Sequence, residues 1–181
     1  TFVCGISARL EAYKGHSYLL ESAAEVLRSH PDTVFLIIGE GSCHAELEAQ
    51  ARELGIHEKV RFIGFVSDVA PYYNIMDLNL NCSWGTETSC LALSEGMSLS
   101  LPAVATTYGG NPYMITEGVN GILVPERDSH AMAEAILRLI EDPELLSEMS
   151  LGARRMYEEK FTASAMTRQL EDLYERSVNR K

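Results

Sequence analysis

Positive charge is scarce in this 181-residue sequence: 15 Lys and Arg stand against 26 Asp and Glu, a formal net charge of −11. Surfaces for nucleic acid or anionic lipid need clustered cations, so this balance argues against both, and any anionic ligand must be met by a few local positive groups. No apolar run reaches the roughly 18 residues of a membrane span, and no charged segment followed by an apolar one marks an export signal. The four cysteines (Cys4, Cys43, Cys82, Cys90) lack any Cys-x-x-Cys spacing. With 46% hydrophobic residues the chain can build a core without disulfide staples, so reduced thiols serving as small core residues in a cytoplasmic protein are expected.

Catalytic signatures are missing as well. There is no G-x-x-x-x-G-K-[ST] loop, no G-x-G-x-x-G after the first strand, no G-x-S-x-G elbow and no H-E-x-x-H, which removes the usual marks of an ATPase, a dinucleotide oxidoreductase, a serine hydrolase and a zincin. No Asp-x-Asp pair is present to hold a metal across a diphosphate. The five histidines (His16, His30, His44, His57, His130) are scattered without partners at ligand spacing, so neither a metal nor another cofactor is expected.

What remains is a regular alternation. Short β-branched or apolar runs at Phe2 to Ser7, Val34 to Ile38, Val60 to Phe65, Leu78 to Cys82, Ala103 to Thr107 and Gly121 to Val124 read as buried strands. Segments of helical periodicity separate them: Gly15 to Ser29, one around Leu47 to Leu54 capped by Gly55, a short one at Ala70 to Ile75, and Ser89 to Leu99. Three more close the chain, at Ser129 to Glu141, Pro143 to Glu159 and Ala163 to Asn179. Repeated strand-helix-strand units close as right-handed parallel crossovers, so the pattern predicts one α/β domain with a doubly wound, mostly parallel, Rossmann-like sheet. The chain starts Thr-Phe-Val and enters a strand at once. A longer polypeptide is therefore expected, with a further domain holding part of the active site.

Ligands of such sheets bind beyond the carboxyl ends of the strands, and the polar residues worth weighing cluster there. Arg9 closes the first strand and Lys14-Gly15 opens the next helix, which sets a planar fork of donors and a mobile cation beside a helix N-terminus, a combination suited to a diphosphate. Glu87 and Glu95 lie eight residues apart, one in the loop before a helix and the other about two turns along it, with Thr88 or Ser89 expected as N-cap. Carboxylates repel a phosphate, so these two make sense as acceptors for hydroxyls on either side of it. Gly39-Glu40-Gly41 and Gly109-Gly110-Asn111-Pro112 read as tight turns open to close approach by a ligand. Trp84, just before Gly85, is expected either to shape the pocket mouth or to serve packing.

In order and spacing, these pieces resemble the retaining glycosyltransferases of family 4, also called group 1, which have the two-lobed GT-B architecture. The resemblance rests on Gly5-Ile6-Ser7-Ala8-Arg9-Leu10 with Lys14-Gly15, Ile38 to Gly41, Val60 to Val66 and Glu87-x7-Glu95 running into Gly96-Met97. Leu101 to Ala105 before Gly109-Gly110, and Gly118 to Pro125 with Asp128, complete it. It implies that residues 1–181 are the C-terminal, donor-binding lobe, with an N-terminal acceptor lobe elsewhere in the protein. It also implies Arg9 and Lys14 on the donor's diphosphate, Glu87 on the transferred sugar and Glu95 on the ribose. Backbone near Gly39 and Val66 would surround the base, and Thr88, Ser89, Cys90 and Leu91 would line the phosphate and sugar.

Metal-independent transfer of a hexose from a UDP- or GDP-linked donor to a glycan or lipid hydroxyl is the implied activity, with membrane association only through the acceptor lobe. Two positions depart from the family: Gly96 stands where alanine is common, and Tyr113 where a glutamate often follows Gly-Gly-x-Pro. The alternatives are a nucleotide-sugar-binding module without catalysis and another GT-B-like enzyme such as a nucleotide-sugar epimerase, against which the intact Arg9, Lys14, Glu87 and Glu95 weigh.

Overall fold

Parallel strands can be joined only through crossovers, and the chain supplies one helix-bearing connection for each. A computed structural model describes residues 1–88 and 90–178. Six strands form one sheet: β1 Val3–Ser7, β2 Val34–Ile38, β3 Val60–Gly64, β4 Leu78–Asn81, β5 Ala103–Thr106 and β6 Gly121–Val124. Eight helices accompany them among the described residues: α1 His16–Ser29, α2 His44–Glu53, α3 Ala70–Tyr73, α4 Leu91–Ser98, α5 Asn111–Met114, α6 Ser129–Glu141, α7 Pro143–Met156 and α8 Ala163–Val178. The strand order is β3-β2-β1-β4-β5-β6, with every neighbouring pair parallel. The expected doubly wound, Rossmann-like α/β fold is the observed one. The chain steps outward from β1 to β3 and then returns to the other side of β1, so a topological switch point, and with it a crevice, falls beyond the carboxyl ends of β1 and β4.

Side chains alternate across the sheet and feed a core on each face. Phe35 and Ile37 of β2 pack with Leu20 of α1, Leu47 of α2 and Ile136 of α6. Leu36 and Ile38 point the other way, to Tyr73 of α3 and Met76. On that second face Ala103 and Ala105 of β5 lie under α4 and α7 with Leu93, Met97 and Ala153. Burial on both faces explains why the strands read as continuous apolar runs.

Helix starts in the C-terminal part follow from sequence: Asp128 Oδ1 accepts from Ala131 N at 2.9 Å to cap α6, and Asp142 Oδ1 accepts from Leu145 N at 2.9 Å to cap α7, with Pro143 in its first turn. The structure departs from expectation at the end of α7, which passes at Tyr157 into a π-turn ending at Phe161. There Thr162 N donates to Tyr157 O, and Tyr157 and Phe161 both pack on the core beneath α4. Asn179, expected to end the last helix, lies outside the described residues. α8 leaves Met166, Leu170, Leu173, Tyr174 and Val178 exposed along one stripe. No helix among the described residues is long and apolar enough to cross a membrane.

Candidate functional site

The crevice is assembled from the ends of β1 and β4. Past Ser7, the amides of Ala8 and Leu10 donate to Ile38 O at 3.0 Å and Glu40 O at 2.9 Å, which leaves Arg9 exposed on the sheet edge, its Nη2 donating to Tyr13 Oη at 2.6 Å. A 3-10 turn over Ala12–Lys14 ends at Gly15, whose φ is 74°. A Cβ at Gly15 would overlap the Cys82 carbonyl oxygen, so only glycine lets this turn lie against the end of β4. Trp84 N closes the contact by donating to Tyr13 O at 2.9 Å. The consequence is an ion pair between Lys14 Nζ and Glu87 Oε2 at 2.7 Å, with side chains only 13% and 8% exposed.

Glu87 is held from three sides. Ser83 Oγ donates to the same carboxylate oxygen at 3.2 Å, and Gly110 N donates to the Glu87 carbonyl at 3.3 Å. Gly109, with φ 59°, lies so close to that carbonyl oxygen that a Cβ would overlap it. Thr86, just before Glu87, adopts φ 51°, uncommon for a β-branched residue. The Gly-Gly turn therefore positions Glu87 by backbone contact, and the residues after it form the single helical turn α5 where the sequence predicts only a loop. Asn111 anchors that turn, its buried Nδ2 donating to Thr106 O at 3.0 Å and Asn81 Oδ1 at 3.2 Å.

Beneath the site lies an amide network that sequence reasoning missed. Asn81 Oδ1 also accepts from Ser83 N at 3.0 Å, and Asn81 Nδ2 lies 2.9 Å from Cys90 Sγ. Burial first, then the Glu87 charge, raises the Cys90 thiol above its ordinary range, so it is a neutral thiol and not a nucleophile. The available signal was period two: Asn79 and Asn81 alternate with Leu78 and Leu80 in a strand buried on both faces. Gly96 belongs to the same network. A Cβ there would overlap Asn79 Nδ2, so the departure from alanine at this position is coupled to the asparagine opposite it.

The start of α4 is a correction. Its N-cap is Cys90, in extended conformation and without a side-chain cap bond, and not Thr88 or Ser89. The asparagine contact holds Cys90 extended, so intrahelical bonding begins with Leu93 N donating to Cys90 O at 3.0 Å. Leu91 and Ala92 thus present first-turn amides that precede that bond. Glu95 then falls about one turn into the helix, not two. It is exposed, as is Thr88, while Ser89 lies outside the described residues.

A cleft of about 380 Å³ gathers Arg9, Lys14, Glu87, Cys90 and Leu91 together with Ser7, Asn81, Ser83 and Ala92. Gly39, Val66, Thr88 and Glu95 do not line it. Gly39 N donates to Gly64 O at 2.9 Å and ties the ends of β2 and β3, and Val66 packs on the core around Ile38 and Tyr73. Trp84 is not at the mouth: it lies under the Arg127 guanidinium, 3.9 Å from its ring, and faces a separate hollow shared with His16. Burial, then Lys14, pushes the His16 imidazole down to about 4. Among the described residues, no three His, Cys, Asp or Glu side chains gather at metal-ligand spacing. Two cations, one carboxylate and a helix N-terminus suit a multiply charged anion that carries hydroxyl groups beside it.

The family model described as glycosyl transferases group 1 matches residues 2–156. Alpha-D-kanosaminyltransferase of Streptomyces kanamyceticus is 33% identical over 168 residues, which cover 92% of this chain and 43% of that protein. The solved structure of Anabaena HepE in complex with UDP superposes with a TM-score of 0.89 at 26% identity, over 97% of this chain and 49% of HepE. The C-terminal domain of a group 1 glycosyl transferase, LpcC of Francisella tularensis, superposes with a TM-score of 0.83 at 26% identity, covering 90% of this chain and 87% of that domain. The chain thus spans less than half the length of the first two proteins and nearly matches the isolated domain of the third.

Proposed function

Because this chain belongs to the group 1 glycosyl transferases, we propose that its cleft binds a nucleoside-diphosphate sugar, UDP-linked or GDP-linked, and that the full-length protein transfers the hexose to a glycan or lipid hydroxyl with retained anomeric configuration. HepE, solved with UDP and with UDP-glucose, supports a nucleotide-sugar donor. The observation that carries the proposal is the cleft at the switch point, where Arg9 and the Lys14–Glu87 pair face the N-terminus of α4. In this reading the bond between the anomeric carbon and the diphosphate oxygen breaks, the acceptor oxygen bonds to that carbon, and the acceptor hydroxyl's proton passes to the departing diphosphate. Arg9, Lys14 and the amides of Leu91 and Ala92 receive the charge that develops on the departing diphosphate, a task metal ions perform elsewhere. Glu87 accepts from hydroxyls of the sugar, Glu95 from the ribose, and the loops at Gly39 and Val66 flank the base.

The acceptor site is assigned to an N-terminal lobe in the GT-B arrangement, on the cytoplasmic side of any membrane the protein meets. The exposed stripe on α8 supports the presence of further protein, since an apolar helix face is stable when covered. The isolated lobe should bind donor and turn over little. A panel of UDP- and GDP-sugars offered to the full-length protein with a candidate acceptor, with and without EDTA, tests the proposal. An α-linked product from an α-linked donor, unaffected by EDTA, is expected. An inverted product or strict dependence on magnesium would overturn the mechanism, and donor binding without transfer would leave a binding module.

A further inference from the structure

The cleft accounts for Lys14 and Glu87 but not for Glu95, which stands exposed on α4 outside the lining. An exposed glutamate samples many rotamers, and ordering it on a ligand costs entropy. One group constrains it. The hydroxyl of Tyr73, on α3, lies 3.4 Å from Glu95 Oε2 and 3.2 Å from the carbonyl oxygen of Ala92. Tyr73 itself is 1% exposed, its ring fixed in the core with Leu36, Ile38, Met76 and Leu101.

We propose that Tyr73 is a positioning residue that aims the Glu95 carboxylate at the donor's ribose, a role that rests on the assignment of Glu95 to the ribose. A phenol has one proton to give, and the ionised carboxylate is a stronger acceptor than the Ala92 carbonyl, which already accepts from Asn79 Nδ2 at 2.8 Å. Burial, then the Glu95 charge, holds the phenol above its ordinary range, so it remains a donor at all working pH values. With Oε2 engaged from the core side, Oε1 is left for ribose hydroxyls. α3 also begins at the loop assigned to the base, where Asp68 Oδ1 accepts from Ala70 N at 3.1 Å. Tyr73 thereby links the base-side loop to the ribose-side carboxylate.

The test compares UDP with 2′,3′-dideoxy-UDP by calorimetry on the full-length protein and its Tyr73→Phe, Glu95→Gln and doubly substituted forms. Tyr73→Phe keeps the ring and so the core packing, and thermal unfolding of the free variants checks that. Tyr73→Phe should weaken UDP about three- to tenfold, the worth of one orienting hydrogen bond, while leaving the dideoxy nucleotide unchanged. The double variant should bind UDP no more weakly than Glu95→Gln alone, since both changes remove the same contact. Equal weakening of both nucleotides by Tyr73→Phe, or full additivity in the double variant, overturns the positioning role. If Glu95→Gln fails to abolish the preference for UDP over its dideoxy form, it is the ribose assignment of Glu95 that falls.

Discussion

Glu87→Gln separates the observed partner of this carboxylate, Lys14, from the sugar hydroxyls assigned to it by the proposed function. Glutamine keeps the size and one oxygen that can still accept from Lys14 Nζ, now at 2.7 Å, and from Ser83 Oγ, now at 3.2 Å. Geometry should survive, and only the charge is lost. A charged hydrogen bond to a sugar hydroxyl in this nearly buried position is worth roughly 1.5 to 3 kcal/mol, so kcat for transfer should drop about ten- to hundredfold. Binding of UDP, which has no sugar, should respond oppositely. The substitution removes a negative charge beside the diphosphate and releases Lys14 from its ion pair, so UDP affinity should hold or rise. Paired titration of UDP and steady-state transfer by the full-length protein read both effects on one variant. Equal losses in UDP affinity and in transfer would refute the reasoning and reduce Glu87 to a brace for Lys14.

Gly109→Ala should lower kcat/KM at least about tenfold, because its Cβ displaces the Glu87 backbone, whereas Gly118→Ala, with φ 75° and open space around it, should cost only about 1 kcal/mol of stability and leave transfer intact. Transfer assays and urea unfolding of the two variants check this contrast. Gly96→Ala should destabilise by about 1 to 3 kcal/mol through overpacking on Asn79, and adding Asn79→Ala should recover part of that loss in a double-mutant cycle by urea unfolding. His16 makes stability depend on acid. The unfolded imidazole takes up a proton near pH 6.5 that the buried one refuses until about 4, so its contribution is full above pH 6.5 and is lost as pH falls toward 4. Between pH 7.5 and 4.5 the wild type should lose on the order of 2 kcal/mol more than His16→Leu in urea unfolding.

The fold was legible because both of its signals are local. Buried strands show as short β-branched runs, and β2, β6 and α6 occupy the spans expected from periodicity alone. The cations and Glu87 were legible too, since a strand end followed by a glycine turn fixes where their side chains can go. Contacts across the sheet were not. Nothing near Cys90 in sequence tells that Asn81 reaches it, and so the cap was assigned to the better cap formers Thr88 and Ser89. That Gly96 stands in place of alanine follows from Asn79 of β4, which occupies the space of the missing methyl group. Trp84 lies one residue from Ser83 in the cleft, yet it stacks under Arg127, from a loop beyond β6, and faces a separate hollow.

Recognition of a diphosphate through Arg9 and Lys14 is the role on which the proposed function depends most. Calorimetric titration of UDP against UMP, on the wild type and on Lys14→Ala, at low and at high salt, tests it most directly. UDP should bind at least about tenfold more tightly than UMP, salt should weaken the advantage, and Lys14→Ala should remove most of it. Equal affinities of the wild type for the two nucleotides would contradict that role.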